Sequence, residues 1–409
     1  MGAPLGQPGR RPAAEPGGTS DESARALRKL VWLVGATLFV DMAAYSAITP
    51  LLPGFAEDLS LSKGATGVLG AAFAAGTFVG SLPGGWLAAR VGGRFTVLVG
   101  LALMGFSALV FGIGGGVVVL DVARFVQGVG GAFTWSGALA WLVAAAPRER
   151  RGEIIGAALG AAISGTLAGP ALGGLADVVG TFVVFAAFLV LAAMLSALAL
   201  RLPALPPGFP AEARDLIRLA SDRRVYGGMW LIAFPGLSFG VINVLAPLRF
   251  DELGAGVATI AAVFLVAAGA EAAMSPLAGR LSDRHGHMVP MRVGLVAVVV
   301  LVGLLTVPAQ TALLTATIVA VGPALGTLWA PALALVSDVL ESLSLDPALG
   351  YGLTNLAWAA GAALGAAGGG WLASATADAV PYAMLAMLAV GTLAGVSLGM
   401  RRMTVSARA

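Results

Sequence analysis

No cysteine occurs among the 409 residues, which excludes disulfides, thiolate metal sites and cysteine nucleophiles. Histidine is nearly as scarce, at two residues. His285 and His287 lie two apart beside Asp283 in a short polar stretch, where solvated loop side chains account for them better than a metal site does. Charge is the third shortage: 11% of residues are Asp, Glu, Lys or Arg, against roughly 25% in an average soluble domain. With 58% of residues hydrophobic, such a chain belongs in a membrane. Its small net charge of +3 comes from basic residues scattered between apolar runs, so a nucleic-acid partner is not expected. The glycine run GIGGG (112–116) lacks the Lys-Ser/Thr of a phosphate loop, so neither an ATP site, a cofactor nor an enzyme activity is expected.

Glycine and long apolar runs fill the chain instead. Its 58 glycines are about twice the usual ~7%, and small residues let helices approach closely inside a bilayer. Twelve apolar stretches, from 30–54 to 379–400, have the ~20-residue length that spans a hydrocarbon core. None shows the alternation of a membrane barrel, so each is expected to be a helix. The expected fold is all-α, with twelve transmembrane helices in two pseudo-symmetric six-helix bundles, 25–201 and 226–402. Residues 1–24, rich in Pro, Gly and Arg, suggest a disordered tail, 202–225 a linker containing PALPPGFP, and 403–409 a second tail. The first apolar run is too long for a secretory signal and lacks its cleavage pattern. An inner N-terminus places 21 of the 24 Lys and Arg residues on the inner side, leaving Lys63 and Arg249 outside and Arg124 within a helix. Both termini are therefore expected in the cytoplasm, and the chain in the plasma membrane.

The two halves resemble one another, as duplicated transporter halves do. GGWLAARVGGR (84–94) falls on AGRLSDRHGHM (278–288) at an offset of 194. At an offset of 196, GAALGAAISGTLAGPALGG (156–174) falls on GLTNLAWAAGAALGAAGGG (352–370). This second match pairs Gly156, Gly165, Gly169, Gly173 and Gly174 with Gly352, Gly361, Gly365, Gly369 and Gly370. Glycine costs about 1 kcal/mol and proline about 3 relative to alanine inside a helix, so a thin, bendable surface must be worth having there. Matched halves suggest a transporter rocking about a midplane site, and two halves in one chain suggest a monomer.

At these residues the chain resembles the major facilitator superfamily over about 30–402. That family's loop signature is G, eight residues, then G-x-x-x-D-R-x-G-R-R. Gly76, Gly85, Arg90, Gly92 and Arg94 match it, while Ala89 replaces the acid and Gly93 a basic residue. Gly279, Asp283, Arg284 and Gly286 form a fuller second copy. The resemblance implies a cytoplasmic charge latch between the halves, held less firmly in the outward-facing state for want of an acid at Ala89. Gly156, Gly165, Gly169, Pro170, Gly173 and Gly174 resemble the fifth-helix motif of the superfamily's drug:proton antiporters. Glycines four apart line one helix face, expected to meet a helix of the other half, with Pro170 bending the axis. RFVQGVGG supplies Arg124, Gln127, Gly128 and Gly130, similar to the family's R-x-x-Q-G-x-G, and implies a part for Arg124 in proton coupling. The plainer alternative is an arginine that snorkels or pairs with Asp121, three residues earlier.

Asp41, in FVDMAAYSAITPLLP, stands near mid-depth of the first run. An acid there is costly and by default functional; it can hold a proton or a cationic substrate, not both. Its spacing to Pro50 and Pro53 resembles the first helix of vesicular monoamine transporters and bacterial drug exporters, which implies contact with a substrate amine. Where those transporters carry an acid on the eleventh helix this chain has Asn355, which weakens monoamine transport as a reading. Glu271, aligned with Thr77, is the second mid-helix acid and completes the expected titratable pair. Asn243 and Asn355 are expected as polar contacts, and Tyr45, Trp135, Phe239, Trp329 and Trp358 as aromatic walls for a hydrophobic cation. The expected function is proton-coupled export of hydrophobic or cationic small molecules, with protons, substrate and the bilayer as partners. A facilitator or symporter of a neutral metabolite and a non-transporting ligand sensor remain as alternatives.

Overall fold

Proline and glycine decide where the helices of this chain stop. The computed structural model describes residues 20–147, 150–206, 218, 219, 221–286, 288–307, 310–343, 345 and 348–406. In the first half the helices are α1 (Ser20–Ser46), α2 (Leu52–Asp58), α3 (Lys63–Val91), α4 (Gly93–Ile113), α5 (Val117–Ala145), α6 (Arg151–Val179) and α7 (Thr181–Arg201). In the second they are α8 (Arg223–Glu252), α9 (Val257–His285), α10 (Met288–Leu304), α11 (Thr311–Gly326), α12 (Trp329–Ser342), α13 (Ala348–Ala375) and α14 (Ala379–Ser406). Helix α1 begins at Ser20, inside the stretch expected to be a disordered tail. Residues 1–19, 207–217, 407–409 and His287 lie outside the described residues, as do the side chains of Asp283 and His285 and the surroundings of Gly279.

Among the described residues eleven segments are long and apolar enough to cross a membrane, and α10, at 17 residues, is the one shorter apolar helix. At 1.5 Å per residue α10 reaches about 25 Å, slightly less than the ~30 Å hydrocarbon core. The first and tenth crossings are each broken. Helix α1 ends at Ser46, four residues before Pro50, and α11 ends just before Thr327, four residues before Pro331. A proline lacks the N–H that would bond the carbonyl four residues back, and its ring crowds that carbonyl. At the turns after α3 and α9, Gly92 (φ 92°) and Gly286 (φ 77°) adopt the left-handed conformation that disfavours any side chain. The two are 194 residues apart, so both copies of the loop motif keep glycine for one reason.

The buried side chains form two cores, one for α1–α7 and one for α8–α14 that also takes in Ala71 of α3. In the first, α5 packs on α3 and α4, α4 on α7, and α1 on α6; in the second, α8 packs on α13, α9 on α11, and α10 on α14. The halves meet along α3 with α13 and along α6 with α9. Glycines make the closest of these contacts. A Cβ at Gly165, Gly169 or Gly173 of α6 would strike the carbonyls of Phe39 and Ala43 on α1 or of Ala47 just past its end. In the other half a Cβ at Gly361, Gly365 or Gly369 would strike the Ala233 carbonyl, the Leu237 carbonyl or the Val241 side chain on α8. The glycines correspond at an offset of 196 and their partners at 194, so the internal repeat is a repeat of contacts. This corrects the expectation that the stripe meets the other half. Of the α6 motif only Gly174 does so, against Ala261 of α9, and its counterpart Gly370 meets Gly67 of α3.

Candidate functional site

The break after α1 leaves carbonyls at its last turn without intrahelical donors. Arg124 of α5 supplies them. Its Nη1 donates to the Ala44 carbonyl (3.2 Å) and to Gln127 Oε1 (2.8 Å), and its Nη2 donates to the Tyr45 carbonyl (3.1 Å). A cation at a helix C-terminus is favourable for the dipole as well as the hydrogen bonds. The guanidinium also lies over the rings of Phe73 (5.2 Å) and Tyr45 (6.0 Å). Arg124 is 0% exposed, so it neither snorkels nor pairs with Asp121, whose side chain is not among its partners.

One turn before those carbonyls, Asp41 is also 0% exposed. Trp135 Nε1 donates to its Oδ2 at 2.9 Å, while Oδ1 has no hydrogen-bond partner. Gly131 makes room for that bare oxygen, since a Cβ there would lie 2.8 Å from Oδ1. Arg124, Gln127, Gly131 and Trp135 recur at three- and four-residue intervals and so share the face of α5 turned to α1. The half-buried indole of Trp135 covers the otherwise sealed carboxyl group.

Tyr45 joins the halves: its ring packs on Phe73 (4.7 Å) within its own half and edge-on to Trp358 of α13 (5.6 Å). Asn243 of α8 hydrogen-bonds with the Tyr45 side chain. Tyr45, Thr49, Arg124 and Asn243 help line a cavity of about 20 Å³ between the halves. That volume holds about one water molecule, far short of the ~300 Å³ of a small-molecule site. Asn355 donates to Ser81 Oγ of α3 at 3.2 Å. Both expected cavity asparagines thus bind the halves together in this conformation. Trp329 and Phe239 pack on the core of the second half, and Trp329 opens α12 just beyond the break.

Glu271 lies in that second half too, against Gly322 and Gly326 of α11 beside the break. The structure does not bring the expected pair together: Asp41 belongs to the α1–α5 contact and Glu271 to the α9–α11 contact. Thr77, the counterpart of Glu271, bonds the Phe73 and Gly128 carbonyls and ties α3 to α5. In the loop motifs, Arg90 lies over the Trp86 ring at 4.7 Å, and Arg94 donates to the Leu202 carbonyl at the end of α7 (2.9 Å). Gly85 is exposed with no neighbour near its Cβ position, and Arg284 is exposed at the end of α9.

Several participants were not singled out from the sequence. Phe73 carries no polar signal and is found only through its rings' neighbours. Ser46 donates to the Thr166 carbonyl at 3.1 Å. Pro170 guarantees that orphan carbonyl four residues upstream, but nothing in the sequence says whose hydroxyl will meet it.

Contacts between the halves crowd toward the face opposite the chain ends. There Gly64 N donates to Ser374 Oγ (2.7 Å), Gly67 meets Gly370, and Gly174 meets Ala261. Toward the face of the chain ends, Gly156, Gly160 and Ser164 of α6 are exposed, and Cβ atoms at Gly156 and Gly160 would meet nothing. The seam is tight at one face, and toward the other α6 presents small exposed residues with no neighbour.

These features define a helical membrane protein of two pseudo-equivalent halves that meet closely at one face, with a sealed acid in the first helix. The chain belongs to the Major Facilitator Superfamily, whose profile matches residues 34–342 and 228–408. Among curated proteins it is similar to Multidrug resistance protein 1 of Bacillus subtilis (strain 168), 31% identical over 201 residues, 48% of this chain and 51% of that protein. It is also similar to Quinolone resistance protein NorA of Staphylococcus aureus (strain MRSA252), 26% identical over 148 residues, 36% and 38% of the two chains. The chain therefore spans about half the length of the first of these relatives, and less of the second. Solved structures of similar fold include a D-xylose-proton symporter (TM-score 0.68, 18% identity, 90% of this chain and 96% of that one). Another is a bacterial homologue of the lysosomal transporter Spinster, inward-facing and unoccupied (TM-score 0.65, 15% identity, 93% and 96%).

Proposed function

We propose that this protein is a proton-coupled antiporter that exports hydrophobic, often cationic, small molecules by alternating access. The observation that carries the proposal is Asp41, a carboxyl group buried at mid-helix with one oxygen bonded only by an indole and the other unpartnered. Buried with one oxygen unpartnered, an ionised carboxylate is costly in such a place even in the field of the Arg124 cation, so the site favours a bound proton or a bound cation. The two exclude each other, and exchange needs no further coupling device. The drug-resistance names of the two curated relatives agree with this substrate class.

With both termini in the cytoplasm, as the arginine distribution implies, the closed face, where the seam is tight, is outward. In this conformation the Trp135 indole is bonded to Asp41. Substrate or water reaches the carboxyl group when the indole moves, and the proton arrives from outside once the halves rock. The protein acts in the plasma membrane as a monomer, since each half supplies one wall of the pathway.

Reconstituted vesicles with an imposed pH gradient and a panel of dye cations test the proposal. Wild type extrudes dye when the gradient is applied, and Asp41→Asn, though folded, does not. Full gradient-driven efflux by the variant would remove Asp41 from the mechanism.

A further inference from the structure

Two charged residues stand at the wrong ends of their helices. Lys63 is the first residue of α3 and Glu252 the last of α8. A cation at a helix N-terminus and an anion at a C-terminus both oppose the helix dipole. Local rules are broken in this way where something else compensates. Lys63 Nζ lies 2.8 Å from Glu252 Oε1 and 2.5 Å from Asp378 Oδ2. Glu252 Oε2 in turn accepts from Arg249 at 2.8 Å. Lys63 is in the first half, whereas Glu252, Arg249 and Asp378 are all in the second. The two cations that the arginine distribution leaves outside, Lys63 and Arg249, are thus both members of one cluster.

We propose that Lys63 is the gate residue of the closed face, a single cation on α3 that straps two separate points of the second half, the end of α8 and the turn before α14. The contacts next to it along α3 carry no charge: glycine on glycine at Gly67 and Gly370, and one hydrogen bond from Gly64 to Ser374. Lys63 alone carries charge across the seam in this cluster. Opening the face strips it from both carboxylates, leaving Glu252 with Arg249 and Asp378 without Lys63. The three side chains of the strap are about a third exposed (Lys63 30%, Glu252 38%, Asp378 34%), so solvent screens each pair and the strap biases the equilibrium without locking it. A gate that must open in every cycle needs that weakness. The proposal concerns conformation and holds whichever molecule is carried, so its test does not depend on the efflux reading.

The absence of cysteine makes single-cysteine labelling free of background. Thr49→Cys reports the closed face, because Thr49 is buried beside the small cavity, and Ser164→Cys reports the exposed face. Maleimide labelling is timed on purified protein in detergent, where both faces are accessible. Lys63→Asp is expected to speed labelling at position 49 about tenfold and slow it at 164. The swap Lys63→Asp with Asp378→Lys, which restores one ion pair across the seam while Glu252 stays paired within its own half, should return both rates part of the way to wild type. If Lys63→Asp unfolds, so that both positions label faster, Lys63→Gln decides, with a rise at 49 alone expected. Unchanged labelling at 49 in both Lys63 variants, or a swap that leaves the Lys63→Asp rate where it was, would overturn the proposal.

Discussion

At the residue scale, the sequence shows which side chains are out of place, but not what holds them. Arg124 and Asp41 are conspicuous because a charge inside an apolar run needs a reason. Their partners are two backbone carbonyls, one amide and one indole. The carbonyls left open by a helix break lie in the turn before it; the side chain that answers them comes from another helix, at a distance in sequence that no local pattern encodes. Arg124 is thus a splice between α5 and the broken end of α1. The fork of a guanidinium can serve Ala44, Tyr45 and Gln127 together, which a lysine ammonium cannot. Arg124→Lys should therefore destabilise the protein, leaving buried acceptors unmet at a cost of about 1–3 kcal/mol. Thermal unfolding in detergent checks this, with Arg124→Lys expected to melt well below wild type; equal stability would show that the splice is dispensable.

At the scale of the element, the glycine stripe of α6 was legible as a close-contact surface, and its partner was not. Spacing by four fixes which residues share a face, but the direction of that face depends on how the bundle closes. The stripe packs on α1 of its own half, and the sibling stripe of α13 packs on α8 in the same way. The glycines therefore shape each half, and the seam between halves depends mainly on neighbouring positions such as Gly174 and Gly370. Glycines of one helix should respond oppositely to alanine. Gly165→Ala drives a Cβ into the Phe39 carbonyl, and overpacking of that kind typically costs about 1–3 kcal/mol. Gly160→Ala meets only open space and gains the ~1 kcal/mol by which alanine outranks glycine in helices. Melting temperatures of the two variants should fall on either side of wild type. A shared direction would show that the stripe is tolerant of bulk, or that position 160 closes on something in the unmutated protein.

For the whole molecule, composition and run length were enough for an all-α, two-half membrane fold, because a bilayer leaves so few alternatives. The site between the halves was less legible. Asn243, Asn355, Tyr45 and Trp358 were expected to border an open chamber, yet here they draw the halves together around a space for one water. A sequence encodes every state of a rocking machine at once, and residues that line the pathway in one state close it in another. Asp41 and Glu271 diverge for a similar reason: equal depth along two helices does not make two acids neighbours when they belong to opposite halves. The closed-face strap at Lys63 was visible only as an exception to the arginine distribution until coordinates placed Glu252 and Asp378 beside it.

The central claim, that one carboxyl group takes either a proton or a cation, is tested most directly by counting protons released when substrate binds. Purified protein in weakly buffered detergent solution, titrated with a dye cation, should release about one proton per dye bound at a pH where Asp41 begins protonated, and Asp41→Asn should release none. Dye binding by wild type without proton release, or undiminished release from the Asp41→Asn variant, would contradict it.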